Sequence, residues 1–205
     1  EELTSEMESF CPDAIKVVPT ALKLEDSIQM LRWVGNGNRD IARIGFAMGA
    51  KGTCSRIMST VFGAPITYAS FGDAVAPGQI SIDALLNCYR VPELSKDCLI
   101  YGIAGEGVRH SQEMEILNWH LKKKQLNAVC IPFDIIKLDE LLAIMEDLNL
   151  RGIQLGDPLK EIAIEKFSGI DSFPDMPVFL KISYLNGNPE INMYSISAEK
   201  FFESL

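Results

Sequence analysis

From Ala14 to Ser70, short apolar runs alternate with helical patterns, and this alternation constrains the fold more than any other feature of the chain. AIKVVP reads as a buried strand and SIQMLRWV as an amphipathic helix. RIGFAMG reads as a second strand, TCSRIMSTVF as a second helix, PITYASF as a third strand and ISIDALLNCYRV as a closing helix. Nearly continuous apolar strands joined by helices indicate parallel strands covered on both faces. The polar stretch VPELSKD, residues 91–97, reads as a boundary. The alternation then restarts with LIYGIAG, a helix through Trp119 to Gln125, AVCIPFDI, a helix in LDELLAIMEDLNL, the strand RGIQLGD and a helix in PLKEIAIEKF. Pro158 is expected at the first helical position. VFLKISYLNGNPEINMYSIS is two alternating runs around Asn-Gly, which signals a hairpin, and AEKFFESL closes as a helix. The reading is α/β throughout, in two segments, 1–92 and 97–205.

Charge narrows the function classes. The 205 residues carry a net charge of -9, with no sustained basic run, which argues against nucleic-acid or anionic-membrane partners. The Lys122–Lys124 cluster fits the solvated end of a helix. No apolar stretch approaches the roughly 20 residues that a membrane span requires. The five cysteines form no C-x-x-C pair, so neither zinc nor a disulfide framework is indicated, and reduced thiols in the cytoplasm are expected. EELTSEMESF has neither the basic start nor the apolar centre of a signal peptide and reads as the flank of an acidic helix.

Three residues of the first segment suggest chemistry. Lys16 is flanked by apolar residues inside a strand. Burial between layers would favour a neutral amine able to attack a carbonyl, and the alternative is a lysine that snorkels into water. Arg56 follows the glycine-containing turn MGAKGTCSR at a helix start, where a fork of donors suits a carboxylate, unless it is a surface arginine. Gln79 follows the stiff turn of AVAPGQIS, either a lid residue facing a ligand or part of an ordinary loop. In a parallel barrel all three fall at the C-terminal ends of strands, where such barrels place their active sites.

D-A-I-K ending at Lys16, A-M-G-x-K-G-x-x-S-R ending at Arg56, G-A-P-I-T-Y-A-S and A-P-G-Q occur in that order. Residues 1 to about 90 thereby resemble type I 3-dehydroquinate dehydratase. The resemblance implies the C-terminal portion of a (β/α)8 barrel and conversion of 3-dehydroquinate to 3-dehydroshikimate through an imine, with no cofactor. By the same resemblance Lys16 is the Schiff-base lysine, Arg56 grips the substrate carboxylate, and Gln79 bonds substrate hydroxyls from a closing loop. Val75 stands where the family usually has serine. The family's histidine and its earlier strands have no counterpart before Lys16, and half a barrel leaves open sheet edges. Dehydration is therefore expected of a more complete chain.

Residues 99–205 resemble the substrate-binding domain of shikimate dehydrogenase, in the order found in fused dehydratase–dehydrogenase proteins. LIYGIAGEGVRHSQEMEILN is similar to the family's G-x-P-x-x-H-S-x-S-P-x-x-H-N motif, with His110, Ser111 and Asn118 matching. Glu113 replaces its second serine. GIQLGDPLKE is similar to G-x-N-V-T-x-P-x-K-E, with Gln154 for the asparagine. Ser111 is thereby implied in substrate binding and Lys160 at the position of the catalytic lysine, with Ser197 in place of its aspartate partner. NADP is expected of an intact dehydrogenase, but no G-x-G-x-x-G follows a strand. Partners are expected to be small molecules, 3-dehydroquinate and shikimate, with self-association allowed. A non-catalytic shikimate-binding scaffold is the alternative.

Overall fold

A computed structural model describes residues 2–37, 40–167, 177–186 and 188–203, excepting the side chain of His110. The chain divides into two compact units, Glu1–Leu86 and Asn87–Leu205.

In the first unit, helix α1 (Glu2–Glu8) precedes strand β1 (Ala14–Val17), helix α2 (Leu24–Gly35), strand β2 (Ala42–Gly45) and helix α3 (Thr53–Met58). Leu24, Ile28 and Leu31 recur at helical spacing along α2 and are buried, which fixes the face it turns to the core. Its start is set by Asp26, whose carboxylate accepts the N–H groups of Leu22 at 2.8 Å and Lys23 at 3.1 Å. β1 and β2 run parallel with Lys16 opposite Ile44, and a bridge between Thr20 and Met48 continues the pairing. α1 is tied down by Arg43, which bonds Glu8 at 2.8 Å, and by the Trp33 indole N–H, which donates to Thr4 at 3.0 Å.

The third strand expected over PITYASF does not form. Only Ser70 makes a ladder bridge, to Ser81. The segment has strand composition, but no ladder partner runs alongside it among the described residues. Side chains hold it instead, with Thr67 donating its hydroxyl to the Arg56 carbonyl at 3.0 Å. The closing helix expected over 80–91 is also shorter, a π-helical turn at Ala84–Cys88.

The second unit is built on one five-stranded sheet. Its strands are β3 (Leu99–Gly105), β4 (Ala128–Asp134), β5 (Leu150–Leu155), β6 (Val178–Leu185) and β7 (Asn188–Ser195), in the order β4-β3-β5-β6-β7. β4, β3 and β5 are parallel, joined by helices α4 (Gln112–Lys123) and α5 (Leu138–Leu142). Helix α6 (Leu159–Lys166) follows β5, and helix α7 (Ala198–Glu203) ends the unit. α5 is shorter than its leucine pattern suggests, and the chain turns before β5. Pro158 sits one residue before α6, at its N-cap. β6 and β7 pair antiparallel as expected, and Gly187 of their Asn-Gly turn lies outside the described residues.

β3 and β4 are buried along most of their length, as parallel strands covered on both faces should be. Edge strand β4 has backbone groups with no neighbouring strand among the described residues, and α4 supplies a partner. Buried Asn118 donates to the Cys130 carbonyl at 2.9 Å and accepts the Cys130 N–H at 2.9 Å, while also donating to Met114 O at 3.0 Å. Phe179 stacks on Phe201 with centroids 4.4 Å apart, and Phe202 closes the same aromatic cluster. Among the described residues all five cysteines are free, no helix is long and apolar enough to cross a membrane, and no metal-ligating cluster occurs.

Candidate active site

Two of the residues singled out in the first unit, Lys16 and Arg56, lie on a pair of neighbouring aromatic rings. Lys16 lies on β1 with its ammonium over the Tyr68 ring, 3.8 Å from the centroid. The Tyr68 and Phe46 rings approach to 5.7 Å, and the Arg56 guanidinium lies over Phe46 at 4.4 Å. A pair of rings tilted by 51° thus carries the candidate nucleophile on one member and the candidate anion clamp on the other, each cation resting on a π-face that attracts it. Tyr68 falls in the quoted G-A-P-I-T-Y-A-S motif, and Phe46 follows β2 directly, in the run RIGFAMG. Sequence reasoning assigned neither a role, because ring adjacency arises only in the tertiary structure.

Of the two readings of Lys16, desolvation between layers does not hold and exposure to water does. Its side chain is exposed, because alternation along β1 turns Ile15 inward and Lys16 outward.

Arg56, by contrast, is only 3% exposed. Burial pushes its guanidinium pKa down from the ordinary value, since an ion loses hydration without an acidic neighbour to replace it. Its Nη2 donates to the Pro77 carbonyl over 3.4 Å, and its Nε is buried with no hydrogen-bond partner among the described residues. A buried fork with an unused N–H is what a carboxylate would complete, through charge-assisted bonds about twice as strong as neutral ones.

Gln79 lies half-buried at the end of the turn that Pro77 and Gly78 form. Its backbone N–H donates to Ala76 O at 3.1 Å, and its side-chain Oε1 accepts the Val75 N–H at 2.9 Å. The Oε1 therefore caps its own loop. A groove of about 1040 Å³ between α1 and α2 includes Trp33, Arg43 and Glu8, but none of Lys16, Arg56 and Gln79.

In the second unit, Ser111 caps α4 by accepting the Glu113 N–H at 3.1 Å. Buried Gln154 donates to the Glu113 carboxylate at 2.9 Å, and the Ser111 hydroxyl lies 3.5 Å from the same oxygen. Lys160 stands half-buried in α6, which follows β5 as α4 follows β3. Ser111 and Lys160 thus both lie beyond the C-terminal ends of neighbouring parallel strands, the edge where open α/β sheets bind ligands. Ser197 caps α7 by accepting the Lys200 N–H at 3.4 Å.

Residues 1–96 match the family model described as type I 3-dehydroquinase. The match spans the whole of the first unit. A bifunctional 3-dehydroquinate dehydratase/shikimate dehydrogenase of Arabidopsis thaliana is 27% identical over 171 residues, 82% of this chain and 28% of its own length. An alignment of that length runs well past residue 96. A 3-dehydroquinate dehydratase of Thermococcus gammatolerans is 42% identical over 84 residues, 41% of this chain and 38% of its own. Shikimate biosynthesis protein AroDE of Chlamydia pneumoniae is 31% identical over 129 residues, 61% of this chain and 27% of its own. The chain spans well under half the length of each of these relatives. The resemblance read from the motifs, a type I dehydratase segment followed by a shikimate dehydrogenase-like segment, stands in the comparisons as well.

Proposed function

We propose that the first unit supplies the imine-forming part of a 3-dehydroquinate dehydratase. The observation that carries this reading is the buried Arg56 fork with an unsatisfied N–H, on the same pair of rings as Lys16. In the proposed reaction the Lys16 amine adds to the substrate carbonyl and water leaves, giving a protonated imine. The imine withdraws electrons from the adjacent carbon, whose proton is removed. The electron pair forms the new double bond as the β-hydroxyl departs with a proton as water. Hydrolysis of the imine then releases 3-dehydroshikimate and restores the amine.

Arg56 holds the substrate carboxylate, and Gln79 bonds its hydroxyls after giving up the Val75 N–H. His110 and His120 both follow residue 96, and the proton transfer is assigned to neither. No cofactor enters this route, because the imine is itself the electron sink.

In the second unit we propose Ser111 as a substrate contact and Lys160 as the counterpart of a dehydrogenase lysine, with shikimate as the ligand. NADP is assigned to no residue of this chain. The proposed segments are residues 1–92 and 97–205, and the proposed compartment is the cytoplasm, where thiols stay reduced. The direct test is borohydride reduction in the presence of 3-dehydroquinate. The Lys16 peptide should gain the mass of the reduced adduct, and absence of that adduct contradicts the reading.

A further inference from the structure

The turn that leads into α3 and the turn that carries Gln79 meet backbone to backbone. Gly49 donates its N–H to the Pro77 carbonyl at 3.2 Å, the same oxygen that Arg56 Nη2 reaches at 3.4 Å. A Cβ placed on Gly78 would lie 2.3 Å from the Gly49 oxygen and 2.9 Å from its carbonyl carbon. Real atoms do not approach so closely, and the obstacle is backbone, which cannot swing aside. Both glycines hold positive φ, +85° at Gly49 and +71° at Gly78, in the region where side chains are strained.

From these contacts we propose that Gly49 and Gly78 are positioning residues. They form a backbone clasp that seats the Gln79 turn on the turn preceding Arg56. The inference rests on the reading of Arg56 and Gln79 as substrate ligands. An arginine that donates to Pro77 while gripping a carboxylate ties the anion to the seated turn. Gln79, two residues beyond that carbonyl, is then delivered to the substrate only while the clasp is closed. Anion binding and seating of Gln79 are therefore one coupled event.

Gly72 provides the control. It too has positive φ, +83°, in the same loop, but nothing lies within 4 Å of a Cβ built on it. Gly72→Ala imposes backbone strain without a clash, whereas Gly78→Ala imposes both. Phe71 is 95% exposed and reports on the loop as a chymotrypsin site followed by mass spectrometry. With each rate divided by that of the same variant's unfolded chain, because Gly72 follows the scissile bond, Gly78→Ala should speed cleavage there by about fivefold over wild type, and Gly72→Ala by no more than about twofold. The 3-dehydroquinate concentration for half-maximal borohydride trapping should rise about tenfold in Gly78→Ala, with the maximal extent of trapping kept, and should stay within about threefold in Gly72→Ala.

Equal effects of the two variants, or a Gly78→Ala protein that behaves as wild type, overturn the clasp. A third arm uses wild-type protein alone and so needs no variant to fold. Substrate at concentrations that give full trapping should slow Phe71 cleavage about threefold, and no slowing overturns the coupling. Failure of trapping in wild type counts against the dehydratase reading instead. The ligand-free cleavage rates then still decide the clasp.

Discussion

Arg56 donates to the carbonyl of Pro77, two residues before Gln79, so a single buried guanidinium touches the loop that carries the candidate hydroxyl-binding amide. Its remaining Nε–H faces no partner among the described residues. The anion clamp and the loop are thereby joined through one side chain.

Arg56→Lys should raise KM for 3-dehydroquinate by about 10- to 100-fold, with a smaller change in kcat, because a point charge cannot make two parallel bonds or reach Pro77 as well. Steady-state kinetics on the longest chain that shows turnover checks this. An unchanged KM would make Arg56 a structural residue that packs on Phe46.

Tyr68 supports Lys16 from below, at 3.8 Å. A cation–π contact at an exposed site contributes about 0.5–1 kcal/mol and favours the cationic protonated imine over the neutral amine that forms it, so Tyr68→Leu should slow imine trapping by about two- to fivefold, and Tyr68→Phe should restore it. If the phenylalanine variant is as slow as the leucine variant, the hydroxyl matters and the ring contact does not.

Asn118 is the one side chain that satisfies both backbone groups of Cys130 on edge strand β4. Asn118→Ala leaves a buried N–H and C=O unpaired and should destabilise the second unit by about 2–4 kcal/mol, read as a lower denaturant midpoint with an unchanged slope. The first unit's transition should not move.

The buried protonated groups set an alkaline limit to stability. Burial raises the Cys54 thiol from its ordinary 9.0 to about 12, the Cys98 thiol to about 11 and the Tyr101 hydroxyl from 10.0 to about 12. Above pH 9 the unfolded thiols lose protons that the folded ones keep, so stability is level below pH 9 and falls as pH rises toward 11 to 12. At pH 10 each thiol should cost about 1 kcal/mol relative to pH 8. Thermal melts across pH 7 to 10.5 test the sign, and a rise in Tm above pH 9 would contradict it.

Much of the fold was legible where burial alone decides the structure. LIYGIAG and AVCIPFDI are apolar on every side because β3 and β4 are buried on both faces, and their composition says so directly. PITYASF has the same composition but forms no strand, since composition encodes burial and not the presence of a ladder partner. Lys16 stayed open between burial and exposure for a related reason. Apolar neighbours suggested a buried amine, yet the strand's two-residue period turns it outward while Ile15 turns in. Arg56 and Gln79 were legible through their motifs. Tyr68, Phe46 and the Gly49–Gly78 contact were not, because they bring together residues far apart in the chain through packing that no local pattern records.

The central claim is that Lys16 is the nucleophile of this site, and borohydride trapping with 3-dehydroquinate tests it most directly. Peptide mapping should find the reduced adduct on Lys16 and none in Lys16→Ala. An adduct that persists in Lys16→Ala, or no adduct at any substrate concentration, would contradict the account.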